Sequence, residues 1–123
     1  MPITDSMMRQ CPKSKYKGTK TRCRWCNRTL KGKQKRWCSK SCASLAAEQH
    51  WFSLAKIHVK LRDGNQCITC GSYDRIEVNH IIQARGTHGK ASCLHHTDNL
   101  EALCHKCHLV ITRKERNDKH RTR

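Results

Sequence analysis

Eight of the ten cysteines in this chain fall into two sets with the spacing of metal knuckles, and that pattern limits the fold more than any other feature. The stretch "CRWCNRTLKGKQKRWCSKSC" places Cys23, Cys26, Cys38 and Cys42 in the order C-x2-C-x11-C-x3-C. Farther on, "CITC" (Cys67, Cys70) and "CHKC" (Cys104, Cys107) stand 33 residues apart. Such pairs close as disulfides in an oxidising compartment and as metal sites in a reducing one. The opening "MPITDSMMRQCPKSKYKG" is polar and basic where a secretory signal would be apolar, so a reducing, intracellular compartment is expected. Two structural zinc sites follow as the expectation, one on Cys23, Cys26, Cys38 and Cys42, the other on Cys67, Cys70, Cys104 and Cys107. They answer a stability problem: 123 residues with 5% aromatic content are too few to build a sizeable core. A structural zinc contributes on the order of 10–16 kcal/mol in zinc-finger peptides.

Around these frames the chain divides into five parts. Residues 1–21, rich in Lys, Ser, Thr and Gly, read as a basic flexible arm, and 22–43 as a four-cysteine zinc finger with "LKGK" at a hairpin tip. Within 44–64, Ala47, Trp51, Leu54, Ile57 and Leu61 recur at helical intervals, so one connecting helix is expected, closed at Asp63-Gly64. Residues 65–114 carry the second cysteine frame and the long excursion inside it, and 115–123 are a basic tail. The expected fold class is a small zinc-stabilised α+β protein.

Charge points to the partner. The formal net charge is +17, and residues 1–40 hold thirteen Lys/Arg against one acid, while 41–112 are nearly balanced. Cationic ends around a neutral middle suggest a polyanion, with nucleic acid leading and double-stranded DNA the preferred form; a solvated tail that touches nothing is the bland alternative. No stretch is long and apolar enough to cross a membrane.

The excursion raises its own question, because "IEVNHII" sets Asn79-His80 inside a β-branched apolar run. Taken with Asn99 in "TDNLEALCHKCH" and with His108 directly after the second knuckle, the pair resembles the HNH endonuclease family, in its zinc-stapled subgroup, over roughly residues 65–114. The N-terminal cysteine stretch also resembles the small zinc finger that precedes the nuclease core in some members. The resemblance implies a ββα core around one divalent cation (Mg²⁺, Mn²⁺, Ni²⁺ or Zn²⁺) and hydrolysis or nicking of DNA phosphodiesters. It implies His80 as general base, Asn79 and His108 as cation ligands, and Asn99 as a bond across the loop that holds the base strand. Asn79 departs from the commoner acid, so it brings a ligand oxygen without a charge. Neighbours on a regular strand face opposite ways, so β structure is expected to end, bulge or bend at Asn79-His80.

Other residues compete for roles. The loop "RGTHGKASCLHH" gathers His88, Cys93, His95 and His96, either a further metal site or a substrate-facing loop in which Arg85 and Lys90 meet phosphates. Cys11 lacks partner spacing and reads as a free thiol, His50 and His58 as surface or packing histidines, and His105 as exposed. Two further classes stand beside the endonuclease: a zinc-dependent nucleic-acid-binding protein with an inactive HNH core, and a zinc-mediated protein-interaction module.

Overall fold

The computed structural model describes residues 3–84 and 86–121, with side chains as far as Glu115. Its architecture is a small α+β fold: α1 (Asp5–Gln10), α2 (Lys40–His50), α3 (Phe52–Arg62), β1 (Ile76–His80), β2 (Leu100–Cys104) and α4 (His105–Arg121), with two short 3-10 turns at Cys93–His95 and Thr97–Asn99. β1 and β2 form a two-stranded antiparallel sheet in which Val78 faces Ala102 and His80 faces Leu100. One face of the sheet packs Val78 and Leu100 against Ala55 and Val59 of α3. Leu103 points to the other face, and at the strand end it clusters with Cys67 and Cys104, against which Ile111 of α4 rests. Alternation along the strands produces the two faces.

The single connecting helix expected over 44–64 is two helices. Trp51 sits between them in extended conformation, and its N–H still caps α2 by donating to the Ala47 carbonyl at 2.9 Å. The break resets the helical phase, so the buried positions are Cys42, Ala46 and His50 on α2 and Ala55 and Val59 on α3. Leu54, Ile57 and Leu61, expected on the packed stripe, are exposed. Small residues are buried because α2 and α3 approach other elements closely.

Of the residues expected as a flexible arm, 3–21 are described and fold against the rest of the chain. Thr4 caps α1 through its hydroxyl, which accepts from Met7 N–H at 3.1 Å. Ile3, Met8 and Tyr16 are buried with Ala46 and Ala91, and all three tryptophans, Trp25, Trp37 and Trp51, pack around them. Arg24, only 5% exposed, donates both to Asp5 (3.1 and 3.2 Å) and to the carbonyls of Lys20 and Arg22. Asp5 is held below the usual carboxylate range chiefly by that guanidinium. No hairpin strands form around "LKGK"; the described residues show one isolated bridge there, Arg22 to Thr29.

The α3 C-terminus clamps β2. Arg62 donates to the carbonyls of Thr97 (2.7 Å) and Leu100 (2.8 Å), while Asp63 accepts from Arg62 and from Ala102 N–H (3.0 Å). Gly64, at φ +69°, makes the left-handed exit that the sequence indicated.

Candidate metal centres and candidate active site

Both four-cysteine sets converge, each with its four sulfurs within 4.8 Å of one another, and each could hold a metal ion. Sulfur separations within them include Cys26–Cys38 at 3.4 Å, Cys38–Cys42 at 3.7 Å and Cys70–Cys104 at 3.6 Å. A tetrahedron with Zn–S bonds of about 2.3 Å has edges of about 3.8 Å, whereas a disulfide needs about 2.05 Å, so the donor sets fit zinc. The local chain explains the convergence. After each first knuckle the next residue turns left-handed, Asn27 at φ 65° and Gly71 at φ 80°, and its N–H closes on the carbonyl of Cys23 or Cys67 at 3.0 Å. Burial opposes ionisation of Cys23, but the N–H groups of Cys26, Trp25 and Cys38 outweigh it and bring that thiol down to about 6. Cys67 reaches about 6 in the same way: burial is outweighed by N–H groups of Cys104, Cys70 and Thr69.

A cavity of about 560 Å³ opens along β1, and its lining includes His80, Asn79, Glu77 and His108 together with Phe52, Lys56 and Lys60 of α3. β1 ends at the Asn79-His80 pair, as expected: His80 is its last residue, still in register opposite Leu100, and no bulge interrupts the pairing before it. The strand has a partner on one side only, and all five of its residues line the cavity along its open edge.

His80 is 5% exposed and packs on Phe52, ring centroids 4.5 Å apart. Its Nε2 lies 2.9 Å from His95 Nδ1, and His95 Nε2 lies 2.8 and 3.0 Å from the carbonyl oxygens of Thr87 and Lys90. Carbonyls only accept, so His95 carries its proton on Nε2, its Nδ1 accepts from His80 Nε2–H, and the lone pair of His80 is at Nδ1. Burial, then His95 and His88, push His80 down to about 4, so its ring is neutral at pH 7.

On the other face, Glu77 accepts from His108 Nδ1 at 2.9 Å and from His105 Nδ1 at 3.1 Å, which holds the Glu77 carboxyl below its ordinary range. His108 then offers Nε2 as its ligand atom, the arrangement in which a carboxylate orients a metal-binding imidazole. Asn79 donates through Nδ2 to Glu101 (3.2 Å), leaving Oδ1 as its ligand-capable oxygen.

Asn99 does not line the cavity. It accepts from Ile82 N–H (2.8 Å) and donates to the carbonyls of Ile82 (3.1 Å) and Leu94 (2.7 Å), fixing the chain just past His80. Lys90 is exposed and away from the cavity, and Arg85 lies outside the described residues. His105, read as exposed, is 42% exposed in its side chain and paired with Glu77. Glu77, Lys56 and Lys60 were not singled out from the sequence; the period-2 relation of Glu77 to Asn79 and the i, i+4 spacing of the lysines were the available signals.

A third set also converges: Cys11, His50, Cys93 and His96 lie with donor atoms within 4.8 Å of one another and could hold a metal ion. Cys11, read as a free thiol, thus has neighbouring donor atoms, and of the two readings of His50, surface or packing, its 0% exposure fits the packing one. The loop does carry a knuckle spacing, Cys93-x2-His96, but its partners lie far upstream.

No protein-family model matches the chain, and neither the curated proteins nor the solved structures hold a match. Fold and site together define a small α+β protein with cysteine and histidine clusters that could bind zinc.

Proposed function

We propose that this protein is a metal-dependent DNA endonuclease of the HNH type, hydrolysing or nicking phosphodiester bonds with His80 as general base. The observation that carries this reading is one cavity lined by a neutral, oriented His80 together with Asn79 and His108, with two lysines beside them. A divalent cation held by Asn79 Oδ1 and His108 Nε2 would supply Lewis-acid stabilisation of the phosphate oxygens. The protein's own groups account for the rest. His80 Nδ1 takes the proton of the attacking water, and the bond from His80 Nε2–H to His95 keeps the ring in the tautomer that leaves Nδ1 free. Glu77 orients His108. Lys56 and Lys60 meet backbone phosphates, and Asn99 keeps the strand end from drifting.

The second reading is a zinc-dependent nucleic-acid-binding protein with an inactive HNH core. The uncharged Asn79, tied to Glu101, is the feature that favours it. Incubation of the purified full chain with supercoiled plasmid in Mg²⁺, Mn²⁺, Ni²⁺ or Zn²⁺ separates the two. Nicked or linear product is expected with at least one cation, and His80→Ala should lower the rate by about 10²–10⁴-fold. Equal cutting by His80→Ala would remove the assigned base, and salt-sensitive DNA binding without cutting under any cation would favour the inactive core.

A further inference from the structure

We propose that Cys11, His50, Cys93 and His96 hold a third zinc ion, and that this ion clamps the N-terminal segment to the turn that carries His95. The four side chains come from three distant places: Cys11 caps the C-terminus of α1, His50 ends α2, and Cys93 and His96 flank the first 3-10 turn. Their donor atoms meet in a largely buried spot, with Cys11, His50 and His96 at 3%, 0% and 6% exposure and Cys93 half-buried.

The spacings are those of a tetrahedral metal site. His96 Nε2 lies 3.4 Å from Cys11 Sγ and 3.4 Å from His50 Nε2. With Zn–N of about 2.05 Å and Zn–S of about 2.3 Å, a tetrahedron has N–N and S–N edges of about 3.3 and 3.6 Å. The tautomer of His50 also fits. Its Nδ1 lies 2.6 Å from the Ala46 carbonyl and therefore carries the proton, so Nε2 presents a lone pair to the cluster. A ring N–H on a backbone carbonyl is the usual support of a metal-bound histidine. Two thiolates and two imidazoles select zinc among common divalent cations.

Polar contacts around the cluster join the same segments. Ser92 N–H donates to the His50 carbonyl at 2.9 Å, Gln49 accepts from Thr97 N–H at 3.1 Å, and Lys13 pairs with Asp98 at 3.0 Å. Because Cys93 and His96 bracket His95, an ion that fixes them also fixes the ring that bonds to His80. That last consequence, for His80, rests on the nuclease reading; the metal site does not.

The test is zinc content of the reduced, full chain after gel filtration. Three equivalents per chain are expected, and the Cys11→Ser/His96→Ala double variant should hold two. A wild-type value of two overturns the proposal. So does loss of the third equivalent in His108→Ala, which would assign that ion to the β1 cavity. Ten reactive thiols are expected in protein purified without reductant, then denatured and chelated; eight, with all nine free in Cys11→Ser, would indicate a disulfide at Cys11 and overturn it as well. If the double variant does not fold, Cys93→His supplies a replacement ligand: in the cobalt-loaded protein it should retain three ions, with a weaker sulfur-to-metal absorption band than wild type. An unchanged band overturns the assignment. Failure of plasmid cutting with three zincs present would remove the nuclease reading and leave this one standing.

Discussion

Asn99 commits its whole side chain to backbone: one bond accepted from Ile82 and two donated to Ile82 and Leu94. Asn99→Ala strands these half-satisfied groups and should cost about 1–3 kcal/mol of stability, read as a lower midpoint in denaturant at constant zinc. His80 makes a second prediction. Its folded value of about 4 lies below the ordinary 6.5, so the folded chain holds fewer protons than the unfolded chain between those values. The contribution to stability is complete above 6.5 and is lost as pH falls toward 4. Single-turnover cutting should therefore stay flat from pH 8 to about pH 5.5 rather than fall through the ordinary histidine range; a tenfold drop per unit below about 6.5 would show a solvated His80. At this scale the sequence was readable where spacing is local. It marked both cysteine sets that converge in the fold, whereas the hydrogen bond between His80 and His95 depends on carbonyls of Thr87 and Lys90 that no pattern announces.

At the scale of elements, the helix break at Trp51 decides which residues are buried. Periodicity alone joined α2 and α3 and chose Leu54, Ile57 and Leu61, all of which are exposed. A run without Pro or Gly at the break offers no stop signal, and Trp51 is placed by packing against the N-terminal cluster. The C-terminus of α3 was clearer, since Asp63-Gly64 reads as an end. Asp63 also joins α3 to β2 by accepting from Ala102 N–H. Its carboxyl is lowered by Arg62 first and by that N–H next. Asp63→Ala would leave Ala102 N–H without its acceptor and Arg62 with only the carbonyls of Thr97 and Leu100. Thermal unfolding of the zinc-loaded variant should show about 1–3 kcal/mol of lost stability, against near-zero for a change at exposed Leu61.

At the scale of the whole molecule, the described residues contain three small apolar clusters and three sets of converging side chains that could hold metal ions. The fold class and two of those ligand sets were legible because knuckles write their ligands close together. The packing of the first twenty residues was not, because its anchors, Ile3, Met8 and Tyr16, are sparse in a basic stretch, and its Cys11 finds partners 39 and more residues away. The formal charge of +17 predicts that DNA affinity falls on the order of 10³-fold between 50 and 200 mM salt, measured by fluorescence anisotropy on a short duplex.

The proposed mechanism requires one cation, held by Asn79 and His108, to sit beside His80 in the cavity that all three line. Adding substoichiometric Mn²⁺ to the zinc-loaded protein and following histidine ring signals by NMR tests it most directly. Paramagnetic broadening of His80 and His108 together, with exposed His58 unaffected, is the predicted result; broadening of His108 alone, or of His58 equally, would contradict it.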